Sequence, residues 1–197
     1  MVATNATPSF PTSEAFLAWE AQQREKYEYI DGQAYAMSGS SVNHGRIAIR
    51  LTSLLDSHLD DRPCVPGNSE IKIHIAGTRN YTYPDASVTC DDRDQTTPDA
   101  FTYPCLIVEV LSKSTEACDR GGKFRLYRQN LVLQDYLLVS STQIEADLYC
   151  KNDRDDWVIV NYQAGDTIEL QSIELQSIGL SFILDRLYRH LDLTPET

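Results

Sequence analysis

Two carboxylates and a lysine are the residues of this chain best placed to do chemistry. Asp85 follows Tyr83-Pro84. Glu109 interrupts an otherwise apolar run, Leu106-Ile107-Val108-Glu109-Val110-Leu111, and Lys123 lies on the helical pattern after it. A carboxylate inside such a run is costly to bury ionised unless it is paired or holds a cation. Side chains alternate along a strand, so Glu109 shares a face with Ile107 and Leu111, and Asp85 shares one with Ser87. Two neighbouring strands could aim Asp85 and Glu109 at one point, where a hard cation is the natural occupant. The same residues also fit a plainer arrangement, in which Glu109 and Lys123 form a structural salt bridge.

The elements that would position these residues follow from periodicity. Branched apolar residues in a continuous run predict a strand buried on both faces around Glu109. The stretch Tyr81 to Val88 reads as an earlier strand, with Pro84 tolerated near its end or edge. A helix from about Thr115 to Gln129 carries Lys123, and Gly121-Gly122 inside it suggests close packing or a kink. Upstream, Thr12 or Ser13 caps a helix to about Arg24. Tyr27 to Met37 forms a hairpin about Asp31-Gly32, with Glu28 on its first strand. Ser38 to Ser41 is a loop.

Ile47, Leu51, Leu54, Leu55 and Leu59 draw an apolar stripe along a helix from about Val42 to Leu59, and His44 shares that inward face. A lone histidine there is commonly a core or capping residue. Glu70 to Ile75 alternates as a half-buried strand, with Glu70 on its solvated face. Asp91 to Pro104 reads as a surface loop. Asp135 to Val139 is another buried strand, and Glu145–Tyr149 and Asp156–Tyr162 are outer antiparallel strands. Ile168-Glu169-Leu170-Gln171-Ser172 is repeated at 173–177, and the odd period requires a bulge or turn near Ser172. Ser181 to Leu191 closes as a short helix.

The chain has 197 residues, 42% hydrophobic and 23% charged, enough for one domain over 12–197 behind a loose tail at 1–11. No apolar run approaches the roughly 20 residues that span a bilayer. The N-terminus has neither the basic nor the apolar region of a signal peptide. The five cysteines are scattered with no Cys-x-x-Cys pair, so neither a zinc site nor a disulfide framework is expected, and a reducing cytoplasm fits. The net charge of −12 opposes non-specific nucleic-acid binding. Its distribution tempers that: Lys113 to Arg128 carries a balance of +3, whereas Glu145 to Thr197 carries −7.

The ordered set Tyr83-Pro84-Asp85, Ile107-Val108-Glu109-Val110-Leu111-Ser112, Thr115, Asp119, Lys123 and Tyr127 resembles the Uma family of "putative restriction endonucleases". That family belongs to the PD-(D/E)XK nuclease superfamily. Tyr27-Glu28-Tyr29-Ile30-Asp31-Gly32, His44 and Asp135-Tyr136-Leu137-Leu138-Val139-Ser140 extend the likeness over about Phe16 to Leu191. It implies an α/β restriction-endonuclease-like fold, a mixed sheet flanked by helices with extra C-terminal antiparallel strands. The superfamily pattern expects a lysine two residues after the acid, where this chain has Leu111. The resemblance implies that Lys123 has taken over that role from the following helix.

A Mg²⁺ or Mn²⁺ ion would then sit on Asp85 and Glu109, with the Val110 carbonyl as a third ligand, activate a water and stabilise the phosphate in an in-line displacement. Lys123 would orient or deprotonate that water or pair with the developing charge. Glu28 would add a ligand through water or a second metal, and His44, Tyr127 and Arg120 would contact the site or the substrate. DNA is the implied substrate and a homodimer the implied assembly, since two related sites cut both strands most simply. The displaced lysine and the acidic charge keep a second reading open, an inert nucleic-acid-binding or regulatory module on the same fold. A two-carboxylate glycosidase would need an aromatic-lined cleft, and the eleven tyrosines are spread through the chain.

Overall fold

A computed structural model describes residues 7–37, 39–97, 99–112, 115–170 and 179–193. Its centre is a mixed six-stranded sheet in the order β11-β10-β9-β8-β6-β3. These strands are Trp157–Gln163 (β11), Glu145–Lys151 (β10), Asp135–Ser140 (β9), Pro104–Leu111 (β8), Ala86–Thr89 (β6) and Val65–Asn68 (β3). β8 and β9 are parallel and the other neighbours antiparallel. The predicted central strand is β8, and it is buried on both faces, as an apolar run interrupted only by Glu109 requires. Leu106, Val108 and Val110 face one core, where the stripe Ile47, Leu51, Leu55 and Leu59 of helix α2 (Val42–Leu59) lies against them. Ile107 and Leu111 face a second core with Tyr127, Tyr136 and Leu138. Leu111 is 4% exposed, so no ionisable side chain is presented from that position.

A smaller sheet, β2-β1-β5-β4-β7, is built mostly from the first half of the chain: Tyr27–Ile30 (β1), Gln33–Ala36 (β2), Lys72–His74 (β4), Tyr81–Thr82 (β5) and Ala100–Phe101 (β7). The hairpin turn is the expected one, with Asp31 at φ 50 and Gly32 at φ 89, the left-handed pair that matches strand twist. A two-stranded sheet, β12 (Thr167–Leu170) with β13 (Leu180–Ile183), closes the fold. Ser41 caps α2, its hydroxyl accepting from the His44 amide at 3.2 Å.

Several local expectations give way. Helix α1 (Ser13–Glu20) stops a turn short of Arg24. The strand expected over 81–88 is two strands in two different sheets, because Pro84 has no amide to donate and the chain bends at Asp85. The 91–104 loop holds a helical turn, α3 (Asp92–Gln95), and β7. Asp94 organises it, accepting from the Thr89 hydroxyl and the Thr102 and Tyr103 amides at 2.8 Å each. In place of the C-terminal helix stand β13, whose residues alternate inward and outward, and the turn α5 (Asp185–Tyr188). Only Lys72–His74 of the 70–75 stretch pairs as a strand. Pro8 and Phe10 bond to the hairpin through Ala34 N to Pro8 O at 2.7 Å and Phe10 N to Gly32 O at 2.8 Å.

The expectation of no disulfide fails: Cys64 and Cys90 form one. Ser38 and the second copy of the repeat lie outside the described residues.

Candidate active site

Four elements converge on the polar cluster at the C-terminal end of β8. β8 supplies Glu109, and the break between β5 and β6 supplies Asp85. β1 supplies Glu28, and a π-helical turn over Cys118–Lys123 supplies Asp119 and Lys123. That turn runs into helix α4 (Phe124–Tyr127), which adds Tyr127. The glycine pair is not there for close packing: a Cβ on Gly121 would meet nothing within 4 Å, and one on Gly122 only Cys118 Sγ at 3.7 Å. A π-turn inserts a residue into the helical ladder and rotates the residues beyond it, and such turns concentrate at functional sites.

Lys123 Nζ lies 2.9 Å from Glu28 Oε1, 3.0 Å from Glu109 Oε1 and 3.6 Å from Asp119 Oδ1. The structural salt bridge considered for Glu109 therefore exists, as one contact of a larger cluster. The Tyr127 hydroxyl donates to Glu109 Oε1 at 3.0 Å and lies 3.0 Å from Thr82 Oγ1. Asp85 is held from two sides, by the Val110 amide donating to Oδ2 at 2.7 Å and by His44 Nε2 at 2.8 Å from Oδ1. Glu28 Oε1 also accepts from the Tyr83 amide at 3.2 Å, which ties the hairpin to the Pro84 break.

The cluster has more carboxylates than ammonium groups: Glu28, Glu109 and Asp119 surround Lys123, and Asp85 stands beside Glu109. Burial pushes Glu109 well above the ordinary carboxylate range, and Asp85, Asp119 and Glu28 add to the rise against the pull of Lys123. Burial also raises Asp119, again against Lys123. Burial by itself would lower the lysine, but Glu109, Glu28 and Asp119 together hold it well above its ordinary value. Asp119 Oδ1 is buried without a hydrogen-bond partner. Excess buried negative charge is an environment that a cation would relieve. No three His, Cys, Asp or Glu side chains among the described residues converge closely enough to cage a metal by themselves. The donor set thus suits an ion that needs one or two carboxylates and completes its shell with water and phosphate.

Of the predicted residues, the fold brings together Asp85, Glu109, Lys123, Glu28, His44, Tyr127 and the Val110 backbone. Arg120 is engaged elsewhere, by Glu116 at 2.8 Å and by Asp147 of β10. Glu70 pairs with Lys26 at 2.6 Å on the surface. Asp119 carries no role on sequence grounds, although its i, i+4 spacing to Lys123 is a signal for one. Thr82 has no signal at all.

A family model described as "Putative restriction endonuclease", named Uma2, matches residues 13–182. The chain belongs to the Uma2 family. Two Synechocystis proteins are similar to this chain. "Uncharacterized protein slr1290" is 58% identical over 193 residues, covering 97% of this chain and 99% of that protein. "Uncharacterized protein sll1609" is 33% identical over 168 residues, covering 84% and 94%. The fold is similar to the crystal structure of "a putative nuclease belonging to DUF820" from Anabaena variabilis. Its TM-score is 0.70 at 15% identity, over 90% of this chain and 97% of that one. This Uma2 chain therefore has the mixed, restriction-endonuclease-like α/β fold expected of it.

Proposed function

We propose that this Uma2 chain is a divalent-cation-dependent endonuclease that hydrolyses phosphodiester bonds in DNA. The observation that carries the reading is the imbalance at the end of β8, where Glu28, Glu109 and Asp119 share one buried ammonium and Asp85 adds a fourth carboxylate beside Glu109. Asp85 and Glu109, with the Val110 carbonyl, are the residues that would hold Mg²⁺ or Mn²⁺. Such an ion supplies an activated water and stabilises charge on the phosphate. Lys123 keeps Glu109 oriented and would supply positive charge to the reacting phosphate. His44 fixes Asp85 through Oδ1, Tyr127 fixes Glu109, and Glu28 and Asp119 keep Lys123 protonated. A cytoplasmic location is part of the proposal and rests on the DNA substrate, against the Cys64–Cys90 disulfide. No helix among the described residues is long and apolar enough to cross a membrane.

A homodimer is part of the proposal. β11 is the outer strand of the six-stranded sheet, and it exposes Val158, Ile159 and Val160. A long apolar edge without lysine or proline invites pairing with a second copy.

One observation favours a second reading, an inert nucleic-acid-binding module: the lysine position of the superfamily pattern is the buried Leu111. Isothermal titration of Mn²⁺ separates the two, run on the wild type, Asp85→Ala and Glu109→Ala, with and without a DNA duplex. Metal uptake lost in both variants, together with nicking of a supercoiled plasmid, supports the nuclease. Absence of uptake by the wild type even with duplex present sinks it in favour of the module.

A further inference from the structure

The strands β3, β6 and β8 are neighbours, and each has a cysteine at or beside its end remote from the carboxylate cluster. On the β3–β6 ladder Val65 faces Thr89, so Cys64 and Cys90 are the next residues outward, and they form the disulfide. On the other edge of β6, Val88 faces Leu106 but Thr89 faces Pro104. Cys105 is therefore the extra residue of a β-bulge. A bulge leaves its residue out of the ladder and re-aims its side chain. Here it aims Cys105 at the disulfide: its Sγ lies 3.7 Å from Cys90 Sγ, within sulfur–sulfur contact. Cys90 is thus flanked by two sulfur partners, one on each neighbouring strand.

We propose that Cys64, Cys90 and Cys105 form an intramolecular thiol–disulfide exchange site in which Cys90 alternates between Cys64 and Cys105. The Cys105 thiol loses its proton to solvent, and the thiolate attacks Cys90 Sγ. The Cys90–Cys64 bond breaks, and its electron pair leaves on Cys64, which takes up a proton. One disulfide and one thiol stand on each side of the step, so no external oxidant or reductant is consumed.

The exchange changes what is tied to what. In the first state the covalent link joins the outer strand β3 to β6; in the second it joins β6 to β8, which are already interior neighbours. β3 contributes Pro66, Gly67 and Asn68 to a cleft of about 550 Å³ that also contains Asp85. Release of Cys64 therefore loosens one wall of the cleft beside the candidate site. The exchange chemistry itself stands apart from the nuclease reading.

The resting state is protected. The Cys105 thiol donates to the Val88 carbonyl at 3.4 Å. Burial pushes it up to about 12, the buried Asp135 carboxyl on β9 adds to this, and the backbone amides of Cys105, Leu106 and Cys90 act the other way. Exchange should therefore accelerate about tenfold per pH unit while the thiolate is the minor form.

The test is disulfide mapping of the full chain by mass spectrometry after acid quench and alkylation. Wild type oxidised with glutathione disulfide at neutral pH is expected to carry Cys64–Cys90. After alkaline incubation a fraction should carry Cys90–Cys105 with Cys64 alkylated. In Cys64→Ser, Cys90–Cys105 should be the product, while Cys105→Ser should keep Cys64–Cys90 at every pH. Wild type that holds only Cys64–Cys90 at all pH values, or forms no Cys90 disulfide, overturns the proposal. So does a folded Cys64→Ser whose Cys90 and Cys105 alkylate separately. If Cys64→Ser does not fold, the wild-type arm decides alone.

Discussion

Lys123 Nζ stands 3.0 Å from Glu109 Oε1, an ion pair between residues fourteen apart in sequence, one on β8 and one on the π-helical turn. Both side chains are buried, and the lysine is the only cation in contact with Glu28, Glu109 and Asp119 among the described residues. Removing one partner of a buried pair is far more damaging than removing both. Lys123→Met should therefore cost about 3–5 kcal/mol of stability. Adding Glu109→Gln in the same chain should restore part of the loss. Urea unfolding midpoints of the two single variants and the double variant would check this. Strict additivity would mean that the pair is not energetically coupled.

The π-turn makes a separate prediction. Neither glycine of the pair has a positive φ, and neither is packed closely. Gly121→Ala should therefore be accommodated and should stabilise the chain by about 0.5–1 kcal/mol, mainly by reducing the freedom of the unfolded state. A thermal melt of the variant reads this directly. A loss of stability would show that the turn needs glycine for a reason other than space.

Asp135 gives the pH dependence. Its carboxylate oxygens are buried with no hydrogen-bond partner, and burial raises its pKa to about 7. A folded-state pKa above the unfolded value means that the folded chain binds the proton more tightly. The stabilisation is fully present below about pH 4 and is lost as the pH rises through about 7. The loss is on the order of 4 kcal/mol at most. Asp135→Asn should consequently be more stable than wild type above neutrality, with the advantage shrinking toward pH 5. Denaturant titrations of the two proteins across that range would test it, and parallel curves would refute it.

The β11 edge predicts assembly. Light scattering should return about twice the 22.3 kDa chain mass for the wild type. Ile159→Lys, which charges the exposed edge, should return a monomer with an unchanged circular-dichroism spectrum. A monomeric wild type would remove the homodimer and leave the phosphodiesterase chemistry intact.

The sequence by itself determined the parts whose patterns are local. A continuous branched apolar run with one acid can only be a strand buried on both faces that brings its carboxylate inside, and β8 is that strand. The i, i+4, i+8 stripe set α2 with the residue limits predicted, and Asp31-Gly32 set the hairpin. Glu109 was visible because an acid in an apolar run stands out, whereas the roles expected of Lys123, Glu28, His44 and Tyr127 rested on the family resemblance. What tertiary structure decided was which distant residues meet. Alternation looks the same on either side of Pro84, so only the pairing partners reveal that Tyr81–Thr82 and Ala86–Thr89 belong to different sheets. That separation is what frees Asp85 to turn toward His44 and the Val110 amide. Cys64 and Cys90 are 26 residues apart with nothing between them to announce a bond; adjacent strand ends create it. The i, i+4 spacing of Asp119 and Lys123 was legible in the sequence, whereas the meeting of Glu28 with Lys123, ninety-five residues away, was decided by the tertiary fold. Local periodicity specifies faces, whereas contacts between faces depend on register, breaks and bulges that no single segment encodes.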